Sequence, residues 1–399
     1  MATTAKTILA GLPLNFGTQG AGDNSSMERI SLVIQRITCF AWAIEKLLSW
    51  RIWTTYRMLP AIPVVSILGE VPALVHTLLF ASSMLLISVL IFKSNRRLMA
   101  ILLALEVFQC ALDQNRVQPW EYQYFFIVAL FTFYPGNKRI FVASVAIVLA
   151  STYFYSGINK VNGGFLQSVW SNLILGQFLR LPAHLRHQAW LLYSGYAAGL
   201  IEAILGLGLL FKWTQKRSAI LLMLMHLVIL AIWGPFGLRG YQILWFWNAS
   251  MIALLYLVFV RSEVDFRPML ANAWKRPVIL FWAVLPVLGL AGLWPKYLSS
   301  NMFSGNTPRM VICIQDLGTH KALMRFSASS DPACICGGSL KVDLQTWIVR
   351  ETRVSVNPEP RLMLQMQQRL REQYPDCKFS FFIVEGKNNA PGQTIGSQP

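Results

Sequence analysis

Several side chains in this sequence have the chemistry of a proton-transfer site, and each sits against a strongly apolar run. Lys160 lies in YFYSGINKVNGGF, where an apolar stretch ends at Gly157 and delivers Asn159, Lys160 and Asn162 just beyond it, beside Tyr153, Phe154, Tyr155 and Phe165. A lysine desolvated at such a boundary can lose its charge and act as a general base; one that reaches lipid headgroups is only an anchor. His226 is the one titratable group in the apolar part of LLMLMHLVILAIWGPFGLRG, which breaks at Gly234 and Pro235. An imidazole there either relays protons and binds a ligand or is a satisfied core residue. The next run opens YQILWFWN and brings Gln242, Trp245, Trp247 and Asn248 to the same level. Glu106 and Glu202 lie inside apolar runs, where each needs a partner or a proton. Glu106 lies about two turns before Asp113, where it could extend a polar network inward, and His226 or Lys160 are candidate partners for Glu202, although spacing fixes neither contact. Finally, ALDQNRVQPWEYQY packs Asp113, Arg116, Trp120, Glu121, Tyr122 and Tyr124 into a short turn. Asp113 and Arg116 are spaced to pair, and Trp120 and Tyr122 suit an interfacial aromatic belt. The plainer reading of this turn is a structural loop locked by that ion pair.

The elements that must position these groups follow from composition. Of 399 residues, 55% are hydrophobic and 13% charged, against roughly 45–50% and about 25% in soluble proteins, which excludes a water-soluble enzyme. The apolar residues fall in blocks of bilayer length, at 30–48, 73–92, 98–112, 123–134, 140–156, 189–211, 218–236, 242–260 and 278–294. The expected fold is therefore an all-α polytopic membrane protein with about eight to nine spans over 30–295, after a flexible tail at 1–29. The first block is the weakest, because Arg36, Glu45 and Lys46 fall in or near it. The net charge of +17 reads as topology rather than nucleic-acid binding, since Lys and Arg are scattered between the blocks. With the N-terminus inside, inner loops carry twelve cations and outer loops seven, as the positive-inside rule requires. Nine spans then place the C-terminus outside, on the periplasmic face of a bacterial inner membrane.

Beyond residue 300 the chain turns polar, with short alternating runs (RMVICI, SLKVDLQTWIV, FSFFIV) and one helical pattern in PEPRLMLQMQQRLREQYPD. These predict a small α+β domain over 300–386 and a disordered tail at 387–399. Cys39 and Cys110 fall in spans and read as buried apolar residues. Cys313, Cys334, Cys336 and Cys377 fall in the outer domain, where disulfides, free thiols or metal and redox chemistry all remain open. No metal site is expected; His184 and His187 read as interfacial.

The segments DQNRVQPWEYQYFF, YFYSGINKVNGGFLQSVW and HLVILAIWGPFGLRGYQILWFWN resemble the horizontally transferred transmembrane (HTTM) superfamily. Its characterised member is the vitamin K-dependent gamma-glutamyl carboxylase, and DoxX-like membrane proteins are relatives. The resemblance covers roughly residues 30–260. In the carboxylases a span ends in Gly and a Lys precedes an aromatic-containing lumenal helix; that lysine is regarded as the base that deprotonates the hydroquinone cofactor, and its match is Lys160. A later-span His and a Gly match His226 and Gly237. The resemblance implies a quinone or hydroquinone entering from the membrane, Lys160 deprotonating it, and His226 with Asn159 holding its oxygens.

Two functions from different classes follow. One is a quinol-dependent oxidoreductase or carboxylase-like enzyme with an outer-facing pocket of Asp113, Arg116, Trp120, Glu121, Asn159, Lys160, His226, Trp247 and Asn248. The other is a non-enzymatic scaffold whose residues 300–399 bind a protein partner. A transporter is weaker, since no inverted repeat is evident.

Overall fold

The computed structural model describes residues 22–134, 136–238, 242–270, 277–327, 336–337, 339–384 and 394–395. Helices dominate. In chain order they are α1 (Gly22–Leu48), α2 (Ala73–Phe92), α3 (Arg96–Leu112), α4 (Pro119–Phe133), α5 (Lys138–Asn159), a π-helical α6 (Phe165–Phe178), α7 (Ala189–Gly208), α8 (Gln215–Trp233), α9 (Gln242–Val260) and α10 (Pro277–Leu290). Their starts are set by local chemistry. The Asn95 side chain accepts from the backbone N–H groups of Arg97 and Leu98, Asn137 accepts from Ile140, and Pro119 opens α4 where a missing N–H costs nothing.

Five helices, α2, α5, α7, α8 and α9, are long and apolar enough to cross a membrane. They fit a multi-pass integral membrane protein in contact with lipid. The other expected spans are present as helices of different character: α3, α4 and α10 are shorter, and α1 carries charges along its length. Helix α1 starts at Gly22, upstream of the expected 30, so the flexible tail expected at 1–29 is helical from that point; residues 1–21 lie outside the described residues. Helix α5 is the axis, buried over 94% of its apolar window, as expected of a helix that is hydrophobic all round. The helices around it turn side chains such as Leu78, Leu85, Ile201 and Leu224 outward.

Helices α5 and α7 approach backbone to backbone. An ideal Cβ at Gly199 would stand 2.9 Å from the Gly157 carbonyl oxygen and 3.1 Å from the Lys160 Cβ, and one at Gly206 would stand 2.5 Å from the Phe154 nitrogen. A Cβ at Gly157 would in turn collide with the backbone of Gly199 and Ala203. Small residues at helical spacing allow such contacts between membrane helices.

The two ends of the bundle gather different loops. At one end Arg96 Nε donates to the Thr132 carbonyl, and Ser26, Arg139, Lys212, Arg261 and Arg267 line a common cavity. At the other end the C-terminal domain meets the loops after α1, α3 and α5. Its sheet has strand order β2-β1-β3-β4, all antiparallel, from β1 (Arg309–Asp316), β2 (Leu340–Asp343), β3 (Lys378–Val384) and the short β4 (Thr394–Ile395). Ile312 pairs with both Val342 and Phe381. Helices α11 (Leu344–Thr352) and α12 (Pro360–Gln373) add Trp347, Leu362, Met366 and Leu370 to its core. Of the tail expected to be disordered, Thr394–Ile395 pair with β3; the rest of 387–399 lies outside the described residues. Cys313 is disulfide-bonded to Cys336 and Cys377 is a free thiol, while Cys334 lies outside the described residues.

Glu351 pins this domain to the bundle. Its buried carboxylate accepts from the backbone N–H groups of Met58 (2.5 Å) and Leu59 (3.1 Å) and from Trp347 Nε1 (3.0 Å). Glu351→Ala strands these donors at about 1–3 kcal/mol each. It should lower the melting temperature and expose the segment around Met58 to protease; unaltered protection would refute the anchoring role. Gly157→Leu should cost about 1–3 kcal/mol or more through overpacking and part α5 from α7. Thermal unfolding in detergent reads that loss, and wild-type stability would show that the close approach does not occur.

Candidate functional site

Close packing at the glycines brings Lys160, at the C-terminal end of α5, onto Glu202 of α7. The Lys160 ammonium donates to Glu202 Oε2 at 2.5 Å and to Ser156 Oγ at 2.9 Å. Three residues separate Gly157 from Lys160 and Gly199 from Glu202, so each charge follows its glycine on one helix face. The Lys160 side chain is 16% exposed, enough to border the cavity beside it.

That cavity has a volume of about 620 Å³. Its walls are almost wholly apolar, from α6, α7, α8 and α9, and its mouth lies between α7 and α8, where Ile201, Leu221, Leu224 and Val228 are exposed. Its polar lining groups form two hydrogen-bonded sets, Ser156–Lys160–Glu202 and Tyr153–His226–Asn248, together with Thr152. His226 has both ring nitrogens engaged, Nδ1 with Asn248 Oδ1 and Nε2 with the Tyr153 hydroxyl, each at 2.6 Å. Asn248 Nδ2 donates to the Leu244 carbonyl, so Oδ1 is its acceptor. His226 Nδ1 therefore carries the proton and Nε2 accepts from Tyr153, the tautomer that satisfies every partner. His226 is both the satisfied core histidine and a cavity-lining residue.

The structure divides the remaining candidates. Lys160, His226, Trp247 and Asn248 share the cavity; Asp113, Arg116, Trp120, Glu121 and Asn159 do not line it. Asp113 does not pair with Arg116. Its partner is Arg57, while its other oxygen accepts from the Ile62 and Asn115 backbones. Arg116 instead donates to the carbonyls of Ile52, Gln109 and Trp53 and contacts His76 Nδ1 at 2.8 Å. Arg57 and Ile62 come from the loop after α1, Ile52 and Trp53 from the short helix Trp50–Thr54, and His76 from α2, so the short turn alone does not reveal them. Trp120 is buried edge-on against Trp53, not placed at an interface, and it lines a separate cavity of about 270 Å³ beneath the outer domain. Trp247 walls both cavities and donates to Gln123. Asn159 Nδ2 donates to the Ser299 carbonyl, which ties α5 to the approach to the outer domain and leaves His226 without the expected companion.

Glu106 does not extend toward Asp113. It joins a second buried centre with Lys46 of α1, whose ammonium lies 2.6 Å from Glu106 Oε2, 4.0 Å from Glu121 Oε2 and 3.1 Å from the centre of the Trp53 ring. Trp42 Nε1 donates to Glu121 Oε2 at 2.6 Å, and Glu45 Oε1 accepts from the Tyr124 hydroxyl at 2.8 Å. Lys46 and Glu45 had counted only against the first span. As ionisable groups in an apolar helix they carried the signal that would have found this centre. Tyr153 and Ser156 offered no comparable signal, since their roles depend on which helix lies opposite. Among the described residues no group of three or more His, Cys, Asp or Glu side chains converges to hold a metal ion.

Compared with known proteins, the chain matches no protein-family model, no curated protein and no solved structure.

Proposed function

We propose that this chain is a nine-span inner-membrane protein that binds a lipid-soluble hydroxylated ring, a quinol, in the cavity beside Lys160, with its C-terminal domain on the periplasmic side. The observation that carries this reading is the Lys160–Glu202 ion pair in the lining of an apolar cavity whose mouth opens between α7 and α8. The cavity fits such a group. Its volume falls within the about 300–1,000 Å³ of small-molecule sites, and its polar groups are few. The topology is supported by the gathering of Arg139, Lys212, Arg261 and Arg267 from the expected inner loops at one end of the bundle and of the outer domain at the other.

A quinol supplies two reducing equivalents and two dissociable hydroxyl protons. The residues present divide the work differently from a lone lysine base. Within the ion pair Lys160 is the donor and Glu202 the acceptor, so Glu202 is the group able to take up a hydroxyl proton at its carboxylate. The Lys160 ammonium then stabilises the oxygen left behind, and its third N–H remains for that oxygen because Ser156 and Glu202 use only two. His226 holds Tyr153 and Asn248 in place in the lining of the same cavity. The outer domain spends one face on its own bundle through Glu351, Gln118–Ser355 and Tyr374–Met58, so the cavity carries more weight than a partner-recognition role for residues 300–399.

Purified protein should bind decylubiquinol under anaerobic conditions, and Lys160→Met and Glu202→Gln should each weaken binding about ten- to hundredfold, the range for a charge-assisted hydrogen bond of ~1.5–3 kcal/mol. Equilibrium titration, with thermal unfolding to confirm that both variants fold, makes the measurement. Equal affinity in wild type and both variants, or no binding by the wild type, overturns the reading.

A further inference from the structure

The Lys46 centre lies outside the cavity, and the reading above makes no use of it. Helices α1, α3 and α4 bring Glu106 and Glu121 against the single Lys46 ammonium, and Glu45, next to Lys46 on α1, is buried against Tyr124 of α4, with Lys46 and all three acids at most 2% exposed. The other titratable or charged groups facing them are Tyr124, Cys110 and Arg116. Arg116 is already surrounded by backbone carbonyls and His76. One cation therefore accompanies three acids in a setting where an uncompensated charge is very costly.

Two geometric facts show how the imbalance is met. The Lys46 ammonium stands 2.6 Å from Glu106 Oε2 and 4.0 Å from Glu121 Oε2, so these two carboxyl groups flank one cation. One ammonium compensates one carboxylate, so the other carboxyl group is buried at tolerable cost only with a proton. In addition, Glu45 Oε2, Glu106 Oε1 and Glu121 Oε1 are buried and accept no hydrogen bond from a protein N–H or O–H group, and Gln109 Oε1 joins them. This is a set of unpartnered acceptors with one lysine among them, and what it lacks is donors. Among the described residues these acids form no metal-ligand cluster.

We infer that the Lys46 centre is a proton-binding site, in which Glu106 and Glu121 share one proton, Glu45 carries a second, and Lys46 remains charged. Uptake of each proton neutralises one carboxylate and its release restores it, so no redox partner or co-reactant enters the balance. The site has a polar track to the outer end of the bundle. Gln109 Nε2 donates to Glu106 Oε2 at 3.2 Å, Arg116 Nη1 donates to the Gln109 carbonyl at 2.9 Å, and Arg116 Nη2 meets His76 near the Arg57–Asp113 pair. On the opposite side, Tyr124 links Glu45 to Ser250 of α9.

Infrared spectroscopy of the full chain in lipid nanodiscs tests this directly, because a protonated carboxyl has a C=O stretch separate from that of a carboxylate. The wild type at neutral pH should show that band and should shift it on transfer to D2O. Glu45→Gln should lower its area by about half. Glu121→Gln should lower it as well, because its amide carries no carboxyl proton while keeping the acceptor for Trp42. Glu202→Gln should leave the band unchanged, which separates this centre from the ion pair at the cavity. Dicyclohexylcarbodiimide, which modifies protonated acids in apolar surroundings, should label Glu45, Glu106 or Glu121 in the wild type, with mass spectrometry locating the adduct. Absence of a protonated-carboxyl band from the wild type at neutral pH overturns the proposal without recourse to any variant. A band that survives both Glu45→Gln and Glu121→Gln, or one that never shifts in D2O, overturns it too.

Discussion

Lys160 reaches Glu202 because the helices carrying them touch backbone to backbone at Gly157, Gly199 and Gly206. Any side chain larger than hydrogen at those positions would force α5 and α7 apart, and a pair at 2.5 Å has no slack to absorb the displacement. The dependence runs both ways. A lone carboxylate on α7 would meet an apolar cavity with no counter-charge, so the glycine contact is tolerable only because it delivers a lysine to Glu202. The same packing makes α5 the buried axis of the bundle, and the other helices arrange themselves around a rod that can be approached closely on one face.

A second lysine shows what the first is free to do. Lys46 is sealed between Trp42, Trp53 and two carboxyl groups, with no exposure at all. A ligand would have to displace aromatic walls to touch it. Lys160 has the same kind of partner but borders an open apolar volume. Burial alone therefore does not distinguish a centre that holds helices together from one that meets a ligand; access does. Arg57 and Arg116 belong with Lys46 in this respect, since both are consumed in fastening the loop after α1 to the turn after α3.

The apolar runs were legible as helices because hydrophobic length needs no knowledge of neighbours. RMVICI and FSFFIV became strands for the same reason, whereas SLKVDLQTWIV is a strand only over Leu340–Asp343 and turns into helix α11 at Leu344, where the Asp343 side chain accepts from the Thr346 N–H. Partnership was less legible. Asp113 and Arg116 are three residues apart and suggest a pair, yet Arg57, distant in sequence, arrives from an extended loop whose path leaves no periodic signature. The Lys160–Glu202 contact was one of two options because both residues were stranded in apolar runs, whereas its cause, glycine contact between α5 and α7, requires knowing which helices are neighbours. The division of one expected pocket into a cavity at Lys160, another at Trp120 and a sealed centre at Glu121 has the same origin. Residues at one membrane depth share a level, and level alone does not place them on the same side of a helix.

Hydrogen-bond capacity then separates the two residues expected to do chemistry. A neutral imidazole has one donor and one acceptor, and His226 spends both, on Asn248 and Tyr153. A ligand that engaged it would have to break a 2.6 Å bond and leave a buried hydroxyl or amide oxygen stranded. An ammonium group has three donors, and Lys160 spends two on Ser156 and Glu202. A ligand oxygen can take the third without undoing anything. The cost of recruiting His226 thus exceeds the cost of recruiting Lys160 by at least one buried hydrogen bond. The histidine's contribution is to fix where Tyr153 and Asn248 stand.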